Sequence, residues 1–183
     1  MHCAMSRSFT AFVAALMLLF PQGERSWLGS RSLAQGVDTE SLFFSGVSKY
    51  LRGDLRGAAA DWTRVIEIDP GYIDAYSNRG EVRGLLGDFR GSLADYNKVL
   101  QSRPGDFVGY SNRGIARDGL SDGPGAIDDY TMAIRINPAF APAYVNRGIA
   151  LQKMGEIERA CSDWRKARAL QHELAAAWVR DAC

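Results

Sequence analysis

The stretch YSNRG stands at Tyr76–Gly80 and again at Tyr110–Gly114, and YVNRG follows at Tyr144–Gly148, so one pentapeptide returns at a fixed interval of 34 residues. Other positions keep the same interval. Asp61, Asp95, Asp129 and Asp163 each precede an aromatic residue, namely Trp62, Tyr96, Tyr130 and Trp164, and Pro70, Pro104 and Pro138 recur in step. A self-similar period of this length marks a solenoid, in which each unit is too thin to bury its own apolar face and must stack on its neighbours.

One unit shows what the period contains. In IDAYSNRGEVRGLLG, from Ile73, the residues Tyr76, Gly80 and Arg83 fall on one helical stripe, and Gly87-Asp88 is a turn pair. FRGSLADYNKVLQSRPGD then places Leu93, Tyr96, Val99 and Leu100 on one face before Pro104 ends the helix. Each unit is therefore expected to be a helical hairpin. The next two turn at Ser121 to Gly123 and at Gly155-Glu156, and Pro124 is tolerable in the first turn of its helix.

The order of large and small residues in Tyr76, Gly80, Ser92, Tyr96, Val99 and Pro104 resembles the tetratricopeptide repeat family, in a bacterial type with N-R-G repeats. The resemblance extends to Tyr110, Gly114, Ala126, Tyr130, Ala133 and Pro138, to Leu42, Gly46, Ala58, Trp62, Val65 and Pro70, and to Tyr144, Gly148, Ala160, Trp164 and Ala167 with His172 in the proline position. It implies an all-α fold, an α-solenoid whose helix-turn-helix units form a right-handed superhelix. The expected repeats are 39–72, 73–106, 107–140 and 141–172, after a leader at 1–34 and a linker at 35–38. Trp178 lies one period after Tyr144, so 173–183 reads as a C-terminal capping helix over repeat four.

Arg79, Arg113 and Arg147 occupy a position that is usually apolar in the family, on the stripe facing the partner helix, and a charge there needs a partner. Two registers supply one. Within a repeat, Arg79 meets Asp95, Arg113 meets Asp129 and Arg147 meets Asp163, leaving Asp61 opposite Ser45. Across repeats, Asp61 meets Arg79, Asp95 meets Arg113 and Asp129 meets Arg147, leaving Asp163 opposite Asp181. Either set is read as structural ion pairs, because the guanidinium fork suits a carboxylate. The adjacent glycine lets two helices approach closely, and NRG has the spacing of neither nucleotide-binding glycine motif.

Asn78, Asn112 and Asn146 share a helical face with Glu81, Ile115 and Ile149. By resemblance to the family this face lines the concave groove where partners bind, and an asparagine can hold the backbone of an extended peptide through one donor and one acceptor. Phe43, Phe44 and Val47, with Tyr50 and Leu51, make the N-terminal end of the groove apolar. Such a cluster reads equally as a partner surface, as a self-association surface or as local core. The clamp by which some co-chaperones of the family hold a C-terminal carboxylate is missing its cations, since Phe43, Val108 and Asn112 stand in their places, and Val47 stands where the clamp has its first asparagine.

Of 183 residues, 46% are apolar and 23% charged, and the net charge is +1; beyond residue 34 there remain 19 basic against 20 acidic side chains. That balance argues against a nucleic-acid partner. Arg7 precedes FTAFVAALMLLF, whose length of about 18 Å as a helix is short for a bilayer core of roughly 30 Å and suits a secretory signal, with Ser32 and Ala34 as small residues before Gln35. An uncleaved anchor or an organellar transit peptide is the alternative. Cys161 and Cys183 are expected as two free thiols, although an oxidising compartment would permit pairing. With only His2 and His172, no metal cluster or nucleophile and base pair can be assembled, and no catalytic residue, metal or cofactor is expected. The expectation is an exported, non-catalytic adaptor or assembly factor of the periplasm or another extracytoplasmic lumen, binding a peptide or protein in its groove. A self-associating structural protein is the alternative reading.

Overall fold

The structure, a computed structural model, describes residues 38–173 and 175–183, and the expected leader lies outside them. Among the described residues there are nine helices and no strand. In chain order they are α1 (Thr39–Leu51), α2 (Leu55–Ile68), α3 (Ile73–Leu85), α4 (Phe89–Ser102), α5 (Phe107–Gly119), α6 (Gly123–Ile136), α7 (Ala141–Lys153), α8 (Ile157–Ala169) and α9 (Ala175–Ala182). Consecutive helices pack as hairpins, and each hairpin stacks on the next. No described helix is long and apolar enough to cross a membrane.

Local chemistry sets the hairpin ends. Asp54, Asp88 and Asp122, one period apart, cap α2, α4 and α6 by accepting a hydrogen bond from the backbone N–H three residues on. The turn inside each of the four hairpins closes on one residue with a positive φ. Gly53, Gly87 and Gly155 adopt it freely, whereas Ser121 holds φ 64° with a side chain in place. Pro124 falls in the first turn of α6, where its missing N–H removes no helical bond.

The core repeats with the sequence. Trp62, Tyr96, Tyr130 and Trp164 are almost fully buried, each flanked along its helix by a buried small residue (Ala58, Ser92, Ala126 or Ala160). Each ring lies flat on the glycine of the preceding first helix. A Cβ built on Gly114 would stand 2.6 Å from the Tyr130 ring, and one on Gly46 would stand 2.6 Å from Trp62. The rings also tie down the backbone they cover, since Tyr96 donates its hydroxyl to the Ser77 carbonyl and Trp62 donates Nε1 to the Phe43 carbonyl.

The short α9 packs against α8 and caps the solenoid. Its Trp178 stands 5.9 Å from Trp164, centroid to centroid, and stacks on His172. The expectation of two free thiols is overturned here: Cys161, buried in α8, forms a disulfide with the exposed Cys183 just beyond α9. The physical reason is that α9, folding back on α8, returns the chain terminus to the helix that carries Cys161, so that the two Cα atoms are 5.7 Å apart.

Two outcomes follow from this packing. Gly114→Ala, which would stabilise an ordinary exposed helix, is expected to lower stability by about 1 to 3 kcal/mol in denaturant titrations, because the methyl group would collide with a buried ring. Reduction of the disulfide, or Cys183→Ser, is expected to cost about 3 kcal/mol for a loop of this size, and a thermal melt unchanged by reductant would contradict the covalent role of the cap.

Candidate protein-interaction groove

Seating a ring on a glycine brings the two helices of a hairpin close together, and the arginine just before that glycine is buried at Arg79 and partly buried at Arg113 and Arg147. Its partner on the second helix is a buried aspartate. Arg79 donates Nε and Nη2 to the two carboxylate oxygens of Asp95 at 3.0 and 2.7 Å. Arg113 grips Asp129 at 2.9 and 2.7 Å, and Arg147 grips Asp163 at 2.8 and 2.7 Å. The register is therefore the one within a repeat. Asp61 in the first hairpin instead accepts from Ser45 at 2.7 Å and pairs with Lys49 at 2.7 Å. Burial pushes the Asp61 carboxyl up, but the hydrogen bonds from Lys49 and Ser45 outweigh it and hold the group below its ordinary value.

Each guanidinium makes two further contacts that pairing arguments on the sequence overlook. Nη1 reaches back to the preceding hairpin, from Arg79 to the Thr63 hydroxyl, from Arg113 to the Asn97 side-chain oxygen and from Arg147 to the Thr131 hydroxyl. The tyrosine that opens each pentapeptide, Tyr76, Tyr110 or Tyr144, stands 5.3 to 5.9 Å from the guanidinium carbon, within cation–π range. The signal was available, because Thr63, Asn97 and Thr131 keep the 34-residue interval. Hydrogen bonds to Asp129 and Asp163 raise the basicity of Arg113 and Arg147 above the ordinary value, against a smaller opposing effect of burial.

The four hairpins differ in how many cations each aspartate receives. Arg83 gives Asp95 a second guanidinium at 2.8 Å, and Arg117 gives Asp129 one at 3.1 Å. Leu151 occupies the same place in the last repeat, so Asp163, nearly as buried, depends on Arg147.

The first helices of successive hairpins also approach one another, α3 against α5 and α5 against α7, and so form one wall. Hydrogen bonds cross it from Tyr50 to Glu81 at 2.8 Å and from Lys153 to Asp118 at 2.6 Å. The bond to Glu81, with that carboxylate's charge, raises the Tyr50 phenol above its ordinary value. Phe44, Leu51, Leu85, Val108 and Ile115 are exposed on these helices.

The expected groove residues divide on inspection. Phe44, Glu81 and Ile115 are exposed, and Val47 and Asn78 border a cavity between α1 and α3. Phe43 is partly buried against the core of the first hairpin, its ring 5.0 Å from Tyr72 and 6.4 Å from Trp62, and Val47 packs on the same cluster. Ile149 joins the apolar clusters around Tyr144, Val145 and Trp164. Asn112 spends its amide N–H on the Tyr96 hydroxyl at 2.9 Å, while Asn146 is half-buried. The three asparagines therefore do not act as one equivalent ladder. Among the described residues there is no cluster of acidic, histidine or cysteine side chains with the arrangement of a metal site.

No protein-family profile matches the sequence, and no curated protein matches it. Solved structures do. A solved structure of MamA, residues 41 to the end, from Desulfovibrio magneticus RS-1 superposes with a TM-score of 0.71 at 21% identity, over 73% of this chain and 76% of that one. A crystal structure of the MamA protein gives 0.68 at 23% identity over 73% of each chain, and another gives 0.69 at 20% over 76% and 81%. The chain folds as a tetratricopeptide-like solenoid. At these identities the likeness to MamA speaks for the architecture alone.

Removing the arginine partner tests the ladder by rank. Arg147→Met is expected to destabilise by about 3 kcal/mol or more, since it strands a buried carboxylate. Arg113→Met should cost clearly less, because Arg117 stays beside Asp129. Equal losses in urea titrations would contradict the account of shared aspartates.

Proposed function

We propose that this solenoid is an exported, non-catalytic protein-interaction module that receives a peptide or protein on the wall formed by α1, α3, α5 and α7. The observation that carries the reading is the exposure of Phe44, Leu51, Leu85, Val108 and Ile115 on first helices whose opposite faces are sealed against the second helices. Large apolar side chains left open together on one wall are what a partner surface requires. An adaptor or assembly role suits a wall of this kind better than catalysis, because the residues along it supply no nucleophile and base pair.

Export is supported by the Cys161–Cys183 disulfide, which persists in oxidising compartments and is rare in a reducing cytosol. The apolar run that follows Arg7 is a fitting secretory signal. A periplasm or comparable lumen meets both conditions. Self-association is a second reading that Phe44 favours, since this ring is 56% exposed on α1.

A photo-crosslinking residue placed at Leu85 or Ile115 is expected to trap a polypeptide in the native compartment, whereas one at Lys98 or Asp128, on the second helices, is expected to trap none. Equal trapping from both faces would overturn the groove reading. Light scattering on the purified chain separates the two occupants, with a monomer at all concentrations supporting an adaptor and growth that Phe44→Ser abolishes supporting self-assembly.

A further inference from the structure

The junction between the first two hairpins differs from the one after it, and the difference begins with one aromatic residue. Tyr96 offers a hydroxyl to the wall, and Asn112 closes on it. Trp62 has only its indole N–H, which it gives to the Phe43 carbonyl, so Asn78 finds no hydroxyl in the matching place. No hydrogen bond ties the Asn78 side chain to any described residue, and its amide borders a cavity of about 240 Å³ lined by Val47, Tyr50, Leu51, Trp62, Asn78 and Glu81.

The volume lies below the roughly 300 to 1,000 Å³ of pockets that enclose whole small molecules. It suits one side chain. Val47, Leu51 and the Trp62 ring supply its apolar lining, and Tyr50, Asn78 and Glu81 its polar groups. Glu81 is exposed, and Tyr50 takes one of its carboxylate oxygens and holds the group in place. Asp118, further along the wall, is already neutralised by Lys153, and Asp74 at the start of α3 by Arg103. Glu81 has no such cation among the described residues.

We propose that this cavity is the anchor of the groove, and that it takes an aliphatic side chain of an extended peptide whose neighbouring residue is lysine or arginine. The aliphatic group fills the space over Trp62, the Asn78 amide pairs with the peptide backbone through one donor and one acceptor, and the free oxygen of Glu81 receives the cation. An acidic neighbour is repelled by the same carboxylate. The inference rests on the reading of the wall as a polypeptide-binding surface and adds which chemistry its first junction selects.

Panning the full chain against a random displayed peptide library tests it. The expected enrichment is Leu, Ile, Val or Met beside Lys or Arg, with Glu81→Lys reversing the preferred charge. A synthetic peptide of the enriched sequence should bind Asn78→Ala about tenfold more weakly than the unaltered chain by fluorescence anisotropy. Thermal melts of both variants, whose changed side chains lie outside the core, check that they remain folded. Enriched peptides that lack the apolar and basic pair, or that bind Glu81→Lys equally well, overturn the anchor. If their binding is nevertheless lost in Ile115→Asp, the wall as a binding surface stands without the anchor. A library that enriches nothing overturns both.

Discussion

The contact on which the architecture turns is a flat aromatic ring seated on a glycine of the neighbouring helix. It fixes the separation within each hairpin, and that separation decides the chemistry of the residues around it. With Tyr130 lying on Gly114, the second helix brings Asp129 to a place where water cannot solvate it, and Arg113 meets the carboxylate with two parallel hydrogen bonds. The same guanidinium passes a third N–H to the preceding hairpin. Close approach, charge pairing and stacking are thus consequences of one another.

Each residue of the opening pentapeptide can be assigned a part. The tyrosine lies beside the guanidinium, the serine carbonyl of the second repeat accepts from Tyr96, the asparagine turns toward the shared wall, the arginine binds the aspartate and the glycine receives the ring. Where the pattern breaks, the ends or the wall change character. Ser45 and Lys49 replace the arginines in the first hairpin, Leu151 replaces one in the last, and Trp62 stands in place of tyrosine at the cavity beside Asn78. A solenoid built from near-identical units acquires a distinct site through such local departures.

The period made the fold legible, because 34-residue spacing, hairpin turns and alternating large and small residues all point to the same packing. The choice between two ion-pair registers was not legible, since it depends on which helix the buried aspartate faces, and both registers keep the same spacing. The expected cap over repeat four already made contact between Cys161 and Cys183 possible, but their pairing depends on the close seating of α9 on α8, which brings the Cα atoms to 5.7 Å and which spacing does not reveal. Asn112 illustrates the limit for the wall. Its repetition suggested a ligand ladder, but a tyrosine hydroxyl one hairpin earlier had already engaged it, and that neighbour is invisible to any reading of a single repeat.

A crystal structure of the full chain with a peptide it selects would test the central claim most directly, namely that sealing one face of the first helices leaves their other face to hold a polypeptide. The account predicts continuous peptide density along α1, α3 and α5, with one side chain inserted beside Trp62. Density for the peptide along α2, α4 and α6, or at either end of the stack with the wall empty, would contradict it.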